Sequence, residues 1–184
     1  MKVFAATVAV LAASASASAA PSWSWKSLHR PVKVPRIAPG TPCPVSARRE
    51  RLPGGLGPGF GSGPAWPVGI DNEGRPVLRY QDPILPQSSF YGTGWFGNKV
   101  LWLVDPKYRG PVLIRGRQLD GPNPVRFEEG GRKPPLELRI AATQGRPPGG
   151  RPSYTRVRAP GCYAYQVDGT NFSRVIVFVA RPYA

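Results

Sequence analysis

The stretch Cys162-Tyr-Ala-Tyr-Gln-Val-Asp-Gly169, with Phe172-Ser-Arg-Val-Ile-Val-Phe-Val179 after it, decides the fold. Both segments are rich in the aromatic and β-branched residues that favour strands. The dipeptide Asp168-Gly169 lies between them and is a strong signal for a short hairpin turn. The sequence therefore predicts a hairpin that places the two most hydrophobic strands of the chain side by side.

Four further strand-like segments precede this hairpin and are separated by turn signals: Lys99–Val104, Pro111–Arg115, Leu136–Ile140 and Tyr154–Arg158. Apolar and polar residues alternate in the last two, which is typical of a strand with one buried and one wet face. The chain after the N-terminal leader shows no helical period. The pattern predicts an all-β sandwich over residues 77–184, and a small β-barrel is the alternative that patterning alone does not separate from it.

The N-terminal third has a different composition. The chain of 184 residues holds 24 prolines and 22 glycines, and many of them lie between Pro21 and Pro76, so no regular helix can run through that segment. Residues 20–76 are therefore predicted to be a Pro/Gly-rich arm or linker that wraps the domain rather than building it. Trp23, Trp25 and Trp66 either anchor this arm on the domain or meet a partner, and anchoring is the commoner outcome.

Residues 1–19 are predicted to be a signal peptide. Met1-Lys2 is followed by the apolar run Val3–Ala13, and Ala17-Ser-Ala19 fits a cleavage site. The alternative is a membrane anchor, but the run is shorter than the roughly 20 apolar residues that cross a bilayer. We expect an exported protein, secreted or held in the periplasm or cell envelope, with no transmembrane segment after cleavage.

Export gives the two cysteines, Cys43 and Cys162, a structural meaning. In an oxidising compartment they can form a single intramolecular disulfide. Two buried free thiols or an intermolecular link are the alternatives. A structural zinc site needs about four Cys or His ligands, whereas the chain has two Cys and one His, so neither a metal nor a cofactor is predicted.

The formal net charge is +15, and most of the basic residues are arginine. The candidates for anion binding are Arg109, Arg115, Arg117, Arg126 and Arg139. An exported protein meets little nucleic acid, so the predicted partner is an anionic envelope polymer, a membrane surface or another exported protein. The alternative is that these charges only solvate the surface.

The inventory of reactive residues argues against catalysis. The single histidine, His29, lies in the proline-rich arm, where nothing in the sequence would fix its orientation for a Ser-His-Asp or Cys-His site. Glycoside hydrolysis needs two carboxylates across a cleft, but the spacing of the acidic residues selects no pair. We expect them to be turn residues and partners for arginine. Asn98 either serves a ligand or makes a turn.

Three motifs together resemble a group of secreted bacterial proteins of uncharacterised function. They are Gly97-Asn-Lys-Val-Leu-Trp102, the Gly-Arg-Gln-Leu-Asp120 end of the segment from Arg109, and Pro160-Gly-Cys-Tyr163. The resemblance covers roughly residues 90–180 and implies an immunoglobulin-like sandwich, a bridge from Cys43-Pro44 to the core, and no catalytic residues. The chain is shorter than that group between Leu103 and Arg109, where a ligand loop would lie.

The leading hypothesis is an exported, non-enzymatic β-sandwich that binds anionic components of the cell envelope. The runner-up is a hydrolase that cleaves envelope polysaccharide through two carboxylates. A third hypothesis makes the tryptophan-bearing arm a docking module for another exported protein.

Overall fold

The computed structural model describes residues 23–183. The predicted signal peptide at residues 1–19 lies outside the described residues. The elements are α1 (Trp25–Leu28), a turn of 3-10 helix (Pro53–Gly55), β1 (Arg48–Arg49), β2 (Gly59–Phe60), β3 (Ala65–Val68), β4 (Asp71–Asn72), β5 (Arg75–Tyr80), β6 (Phe96–Val104), β7 (Val112–Gln118), β8 (Arg126–Phe127), β9 (Glu137–Ile140), β10 (Arg151–Val157), β11 (Gly161–Gly169) and β12 (Ser173–Pro182).

The strands form two six-stranded sheets that pack face to face. Sheet 1 has the order β1-β2-β3-β6-β10-β8, and sheet 2 has the order β4-β5-β12-β11-β7-β9. The predicted all-β sandwich is confirmed, and the sheets of the described chain do not close into the alternative barrel. No helix within residues 23–183 has the length and apolar character needed to cross a membrane.

The hairpin predicted from Cys162 to Val179 lies at the centre of sheet 2. β11 and β12 pair antiparallel from Cys162 opposite Val179 to Asp168 opposite Ser173. β7 pairs antiparallel with the other side of β11, while β5 pairs parallel with β12. The most hydrophobic strands therefore have neighbours on both sides, which keeps them away from the sheet edges.

Alternate residues of these strands build an aromatic core between the sheets. The rings of Tyr165 and Phe178 stack with centroids 4.4 Å apart, and Trp102 of sheet 1 meets Tyr165 edge-on at 5.1 Å. The Tyr165 hydroxyl shares a hydrogen bond with Thr155 Oγ1 at 2.8 Å, so its polar end is satisfied. Burial raises the pKa of Tyr165. The residue is neutral over the whole physiological range.

The second half of the segment predicted as an arm or linker forms strands of the sandwich instead. β1, β2, β3 and β4 all lie between residues 48 and 72, and the predicted domain start at residue 77 falls inside β5. Phe60, Trp66 and Ile70 from this segment are buried. Glycine and proline exclude a helix there, but they do not exclude the extended backbone of short strands near a sheet edge.

The first half of the segment, residues 23–46, does wrap the domain. Leu28 of α1 is buried, Ile37 N–H donates to the Leu119 carbonyl at 3.0 Å, and Ser46 N–H donates to the Val177 carbonyl at 3.0 Å. The predicted bridge is confirmed: Cys43 is bonded to Cys162, with Cα atoms 5.4 Å apart. Residues 162–169 are consequently buried on both faces of sheet 2, and the arm forms a third layer.

Candidate functional site

The two sheets have outer faces that point in opposite directions, and most of the arginines predicted to bind anions lie on one or the other. We call the part of the outer face of sheet 2 that residues 23–46 cover the arm face. We call the outer face of sheet 1, bordered by the loops 86–95 and 128–135, the loop face. Strand alternation decides the assignment. Tyr163 and Tyr165 point into the core, so Gln166 and Asp168 face the arm.

On the arm face Arg115 is part of a buried network around Asp168. Asp168 is fully buried, and Arg115 Nη2 donates to its Oδ2 at 2.7 Å. Arg30 Nη1 lies 3.5 Å from Asp168 Oδ1, and Ser173 Oγ donates to the same oxygen at 2.6 Å. A buried carboxylate is costly unless it is paired and hydrogen-bonded. Arg115 meets that need and is not available to an external anion.

The same network holds the backbone of the arm. Gln166 Oε1 accepts a hydrogen bond from the Lys33 N–H at 2.6 Å, and Gln166 Nε2 donates to the Pro31 carbonyl at 3.1 Å. The guanidinium of Arg30 donates to the carbonyls of Gly169 and Phe172 at 2.8 and 2.7 Å. The polar residues of the arm face therefore attach the arm, which extended backbone of this composition cannot do by secondary structure alone.

A second acidic partner on the arm face, Glu137, neutralises Arg139. Arg139 Nε donates to Glu137 Oε1 at 2.9 Å, and His29 Nε2 lies 2.6 Å from Oε2. Partial burial alone would raise the pKa of Glu137, but the hydrogen bonds from His29 and Arg139 outweigh it and lower that pKa. His29 differs from the sequence expectation, because Glu137 fixes its orientation. Arg139 also lies 5.3 Å from the ring centre of Trp25.

The other two candidates outside the loop face lack an acidic partner. Arg117 is half-buried on β7, two residues from Arg115, and forms a backbone bridge with Pro124. Arg109 is exposed in the connection between β6 and β7. Within residues 23–183, neither side chain forms an ion pair.

The fifth candidate, Arg126, belongs to a cluster on the loop face that is built around Trp95. Arg126 and Arg158 approach the indole ring of Trp95, with guanidinium carbons 5.4 and 4.4 Å from its centre. Trp95 is only 2% exposed, and its Nε1–H donates to the Arg132 carbonyl at 3.2 Å. Arg126 Nη1 donates to the Pro134 carbonyl at 2.6 Å. The loop 128–135 is thus held beside two cations stacked on one ring.

Arg156 adds a fully buried guanidinium to this cluster. It stands on β10 directly opposite Arg126 of β8. Its Nη1 donates to the Gly130 carbonyl at 2.8 Å, its Nη2 donates to Thr93 Oγ1 at 3.1 Å, and its guanidinium carbon lies 4.2 Å from the Phe90 ring centre. Burial lowers the pKa of Arg156 despite the charge of Glu129 nearby.

The acidic residues next to this cluster are engaged by other groups. Glu128 Oε1 accepts a hydrogen bond from Arg151 Nη2 at 2.6 Å, and Glu129 Oε1 accepts one from Ser89 Oγ at 3.2 Å. Both glutamates line a shallow pocket of about 230 Å³ with Lys99 and Tyr154. Within residues 23–183, none of the guanidinium groups of Arg126, Arg156 and Arg158 hydrogen-bonds to a carboxylate.

Three arginines of the loop face therefore have a shared property. Carbonyl oxygens, a hydroxyl and aromatic faces hold Arg126, Arg156 and Arg158 in place, but these neutral partners leave their positive charge in force. We call these three, together with Arg132 and Lys133 of the neighbouring loop, the Trp95 cluster. Arg132, Lys133 and Arg158 are exposed.

Sequence reasoning missed Trp95, Arg156 and Arg158 as members of a site. They approach Arg126 only through the pairing of β10 with β6 and β8. Asn98, predicted as a ligand or turn residue, lies within β6, where its Nδ2 donates to the Arg79 carbonyl and the Tyr183 hydroxyl at 2.8 and 2.7 Å. These bonds give it a structural role.

Among the described residues, no group of three or more His, Cys, Asp and Glu side chains has the arrangement of a metal site. No family model, curated protein or solved structure matches the chain. The resemblance to the group of secreted bacterial proteins stays a prediction.

Proposed function

We propose that the protein binds an anionic polymer of the cell envelope, non-enzymatically, through the Trp95 cluster on the loop face. The observation that carries the proposal is the contrast in partners. Arg115 and Arg139 are neutralised by Asp168 and Glu137, whereas Arg126 and Arg158 are held by a carbonyl and an indole ring.

Rigidity favours binding by this cluster. A flexible surface arginine loses side-chain entropy when it grips an anion, and that loss opposes binding. Here Arg126 is fixed by the Pro134 carbonyl and Arg158 by the face of Trp95. The exposed Arg132 and Lys133 belong to the loop whose backbone accepts the Trp95 N–H. Trp95 thus contacts both the arginines that are fixed in place and the loop that carries the exposed Arg132 and Lys133.

Charge attraction of this kind has a diagnostic salt dependence. Exposed charges interact most strongly at low ionic strength, and each phosphate contact made by an Arg or Lys steepens the loss of affinity with added salt. A polyanion that contacts three or four residues of the cluster should therefore bind tightly in dilute buffer and weakly at high salt.

The experiment compares two variants that lose the same charge. R132Q/K133Q/R158Q removes exposed cations of the Trp95 cluster, and K26Q/K33Q/R36Q removes three exposed cations of the arm. Binding of soluble polyphosphate is measured as a function of salt. A separate experiment measures binding of vesicles that contain phosphatidylglycerol. Since exposed ion pairs contribute about 0.2–1 kcal/mol each, we expect the first variant to bind roughly tenfold more weakly and the second to resemble the wild type.

Equal weakening of both variants would mean that net charge alone drives binding and would remove the proposal. If the wild-type protein bound neither polyphosphate nor the vesicles at low salt, the proposal would also be removed. Binding to polyphosphate without binding to vesicles assigns the ligand to a polymer rather than a membrane surface.

A further inference from the structure

A groove near the β4–β5 edge of sheet 2, the edge opposite β9, carries a second group of cations. Strand alternation places Arg75, Val77 and Arg79 of β5 on the outer face, because Leu78 and Tyr80 point into the core. Val179 and Arg181 of β12 lie on the same face, since they pair with Val77 and Arg79 in register. Two arginines therefore stand side by side on neighbouring parallel strands.

Like charges placed directly opposite each other in a sheet are destabilising. On the arm face, the carboxylate of Asp168 pairs with both Arg115 and Arg30. Within residues 23–183, the side chains of Arg75, Arg79 and Arg181 form no ion pair, and the buried Arg79 Nε has no hydrogen-bond partner. A bound anion would relieve the repulsion between Arg79 and Arg181.

Two of these arginines, Arg75 and Arg181, border a concavity. The groove has a volume of about 300 Å³ and is lined by Asn72, Glu73, Arg75, Val77, Val179 and Arg181. Val77 and Val179 make an apolar floor, and Arg75 and Arg181 stand at its ends. A strand rises about 3.3 Å per residue, so Arg75 and Arg181 stand roughly 13 Å apart along the strands. Only their long side chains, extended toward each other over this floor, would meet on one small ion.

We propose that this groove binds a phosphate group. Phosphate carries up to two negative charges and offers several acceptor oxygens in the geometry that guanidinium forks match. Asn72 adds an amide donor at the wall. The site is independent of the Trp95 cluster, because the two lie on opposite outer faces of the sandwich, and neither proposal requires the other.

Glu73 is the acidic residue that lines the groove, and substituting it gives the most specific test of phosphate binding. It occupies the first position of the tight turn between β4 and β5 with φ 54°, followed by Gly74 with φ 82°. Such turns normally carry Asn, Asp or Gly at that position, so the turn does not call for a glutamate. Its carboxylate opposes a bound phosphate, and neutralising it should strengthen binding.

The test titrates inorganic phosphate at constant ionic strength and follows the protein by NMR and thermal unfolding. We expect R75Q/R181Q to weaken phosphate binding at least fivefold and E73Q to strengthen it at least twofold. A gain of affinity cannot arise from unfolding, so E73Q keeps the proposal testable even if the double variant folds poorly. K33Q/R36Q is the matched control for the loss of two charges.

Wild-type affinity in R75Q/R181Q, or unchanged affinity in E73Q, would overturn the proposal. The variant R132Q/K133Q/R158Q separates the two sites: its polyphosphate binding should weaken roughly tenfold, while phosphate binding in the groove should match the wild type. A further experiment uses vesicles that contain phosphatidylglycerol. Protection of the groove by vesicles assigns the phosphate to a lipid headgroup, and protection by inorganic phosphate alone assigns it to a soluble ion or ester.

Discussion

The arm face and the loop face use the same amino acid for different ends. On the arm face, arginine meets carboxylates: Arg115 and Arg30 contact Asp168, and Arg139 contacts Glu137. On the loop face, arginine meets neutral groups: Arg126 contacts a carbonyl and Arg158 an indole ring. The first pattern attaches a layer of the protein to itself. The second fixes cations in place without cancelling their charge.

The comparison implies that a count of arginines is a poor guide to anion binding. A guanidinium paired with a buried carboxylate contributes to specific structure, and its removal should cost stability. A guanidinium held by neutral partners near the surface should contribute little to stability and more to recognition. The following predictions test that division, beginning with the largest effect.

Replacing Asp168 with alanine should break the arm face. The change leaves Arg115 and Arg30 next to an empty acceptor site, and losing one partner of a buried pair typically costs about 3 to 5 kcal/mol. We expect a large fall in the free energy of unfolding, measured with urea. Asp168→Asn keeps the shape and part of the hydrogen bonding and should cost less. A loss below 1 kcal/mol for D168A would mean that the network is not structural.

Removing the bridge between Cys43 and Cys162 should have the next largest effect. The loop-closure model assigns a disulfide with a separation of 119 residues about 4 to 5 kcal/mol, and measured values are commonly nearer 2 to 4. C43S/C162S should lower stability by the latter amount. Because Arg30 and Gln166 still hold the arm, proteolysis should cut the variant first between residues 36 and 46. Polyphosphate binding on the loop face should be unchanged.

Acidification should weaken the arm face through Glu137. Its pKa is lowered in the folded state from an ordinary value of 4.5, so its stabilising effect is present above that value and is lost as the pH falls through the folded pKa. Because the ion pair of Glu137 with Arg139 is partly exposed to solvent, its effect on stability is limited to about 1 kcal/mol. Stability measured from pH 6 to pH 3 should fall less steeply in E137Q than in the wild type. Identical slopes would show that Glu137 is not linked to folding.

The smallest stability effect is expected on the loop face. Arg158 is exposed and stacks on Trp95, and such cation–π contacts contribute about 0.5 to 1 kcal/mol. R158Q should therefore unfold within about 1 kcal/mol of the wild type, while its affinity for polyphosphate falls. A stability loss as large as that of D168A would erase the distinction between the two faces.

Part of this architecture could be predicted from the sequence because it depends on local patterns. The hairpin from Cys162 to Val179 has alternating aromatic and β-branched residues around Asp168-Gly169, and it forms as expected. β3 was not predictable in the same way. It contains Pro67, which pairs with Trp102 although it has no N–H to donate, and it is a strand because β6 and β2 pair with it.

The roles of the arginines were beyond sequence reasoning for a related reason. Arg115 and Asp168 are 53 residues apart in the chain, and Trp95 and Arg158 are 63 apart, so each pairing exists only because distant strands meet. The net charge pointed to arginine as the candidate for anion binding, and that role stays a prediction. Which arginines stay charged toward solvent depends on the partners that the fold supplies.

The most direct test of the division between the two faces is an amide and indole NMR titration of the wild-type protein with polyphosphate in dilute buffer. We expect the Trp95 indole N–H and the backbone amides of residues 130–133 and 156–158 to shift early and saturate together, while those of Arg115, Arg139 and Asp168 stay in place. Shifts that begin on the arm face, or that spread evenly over both faces, would contradict it.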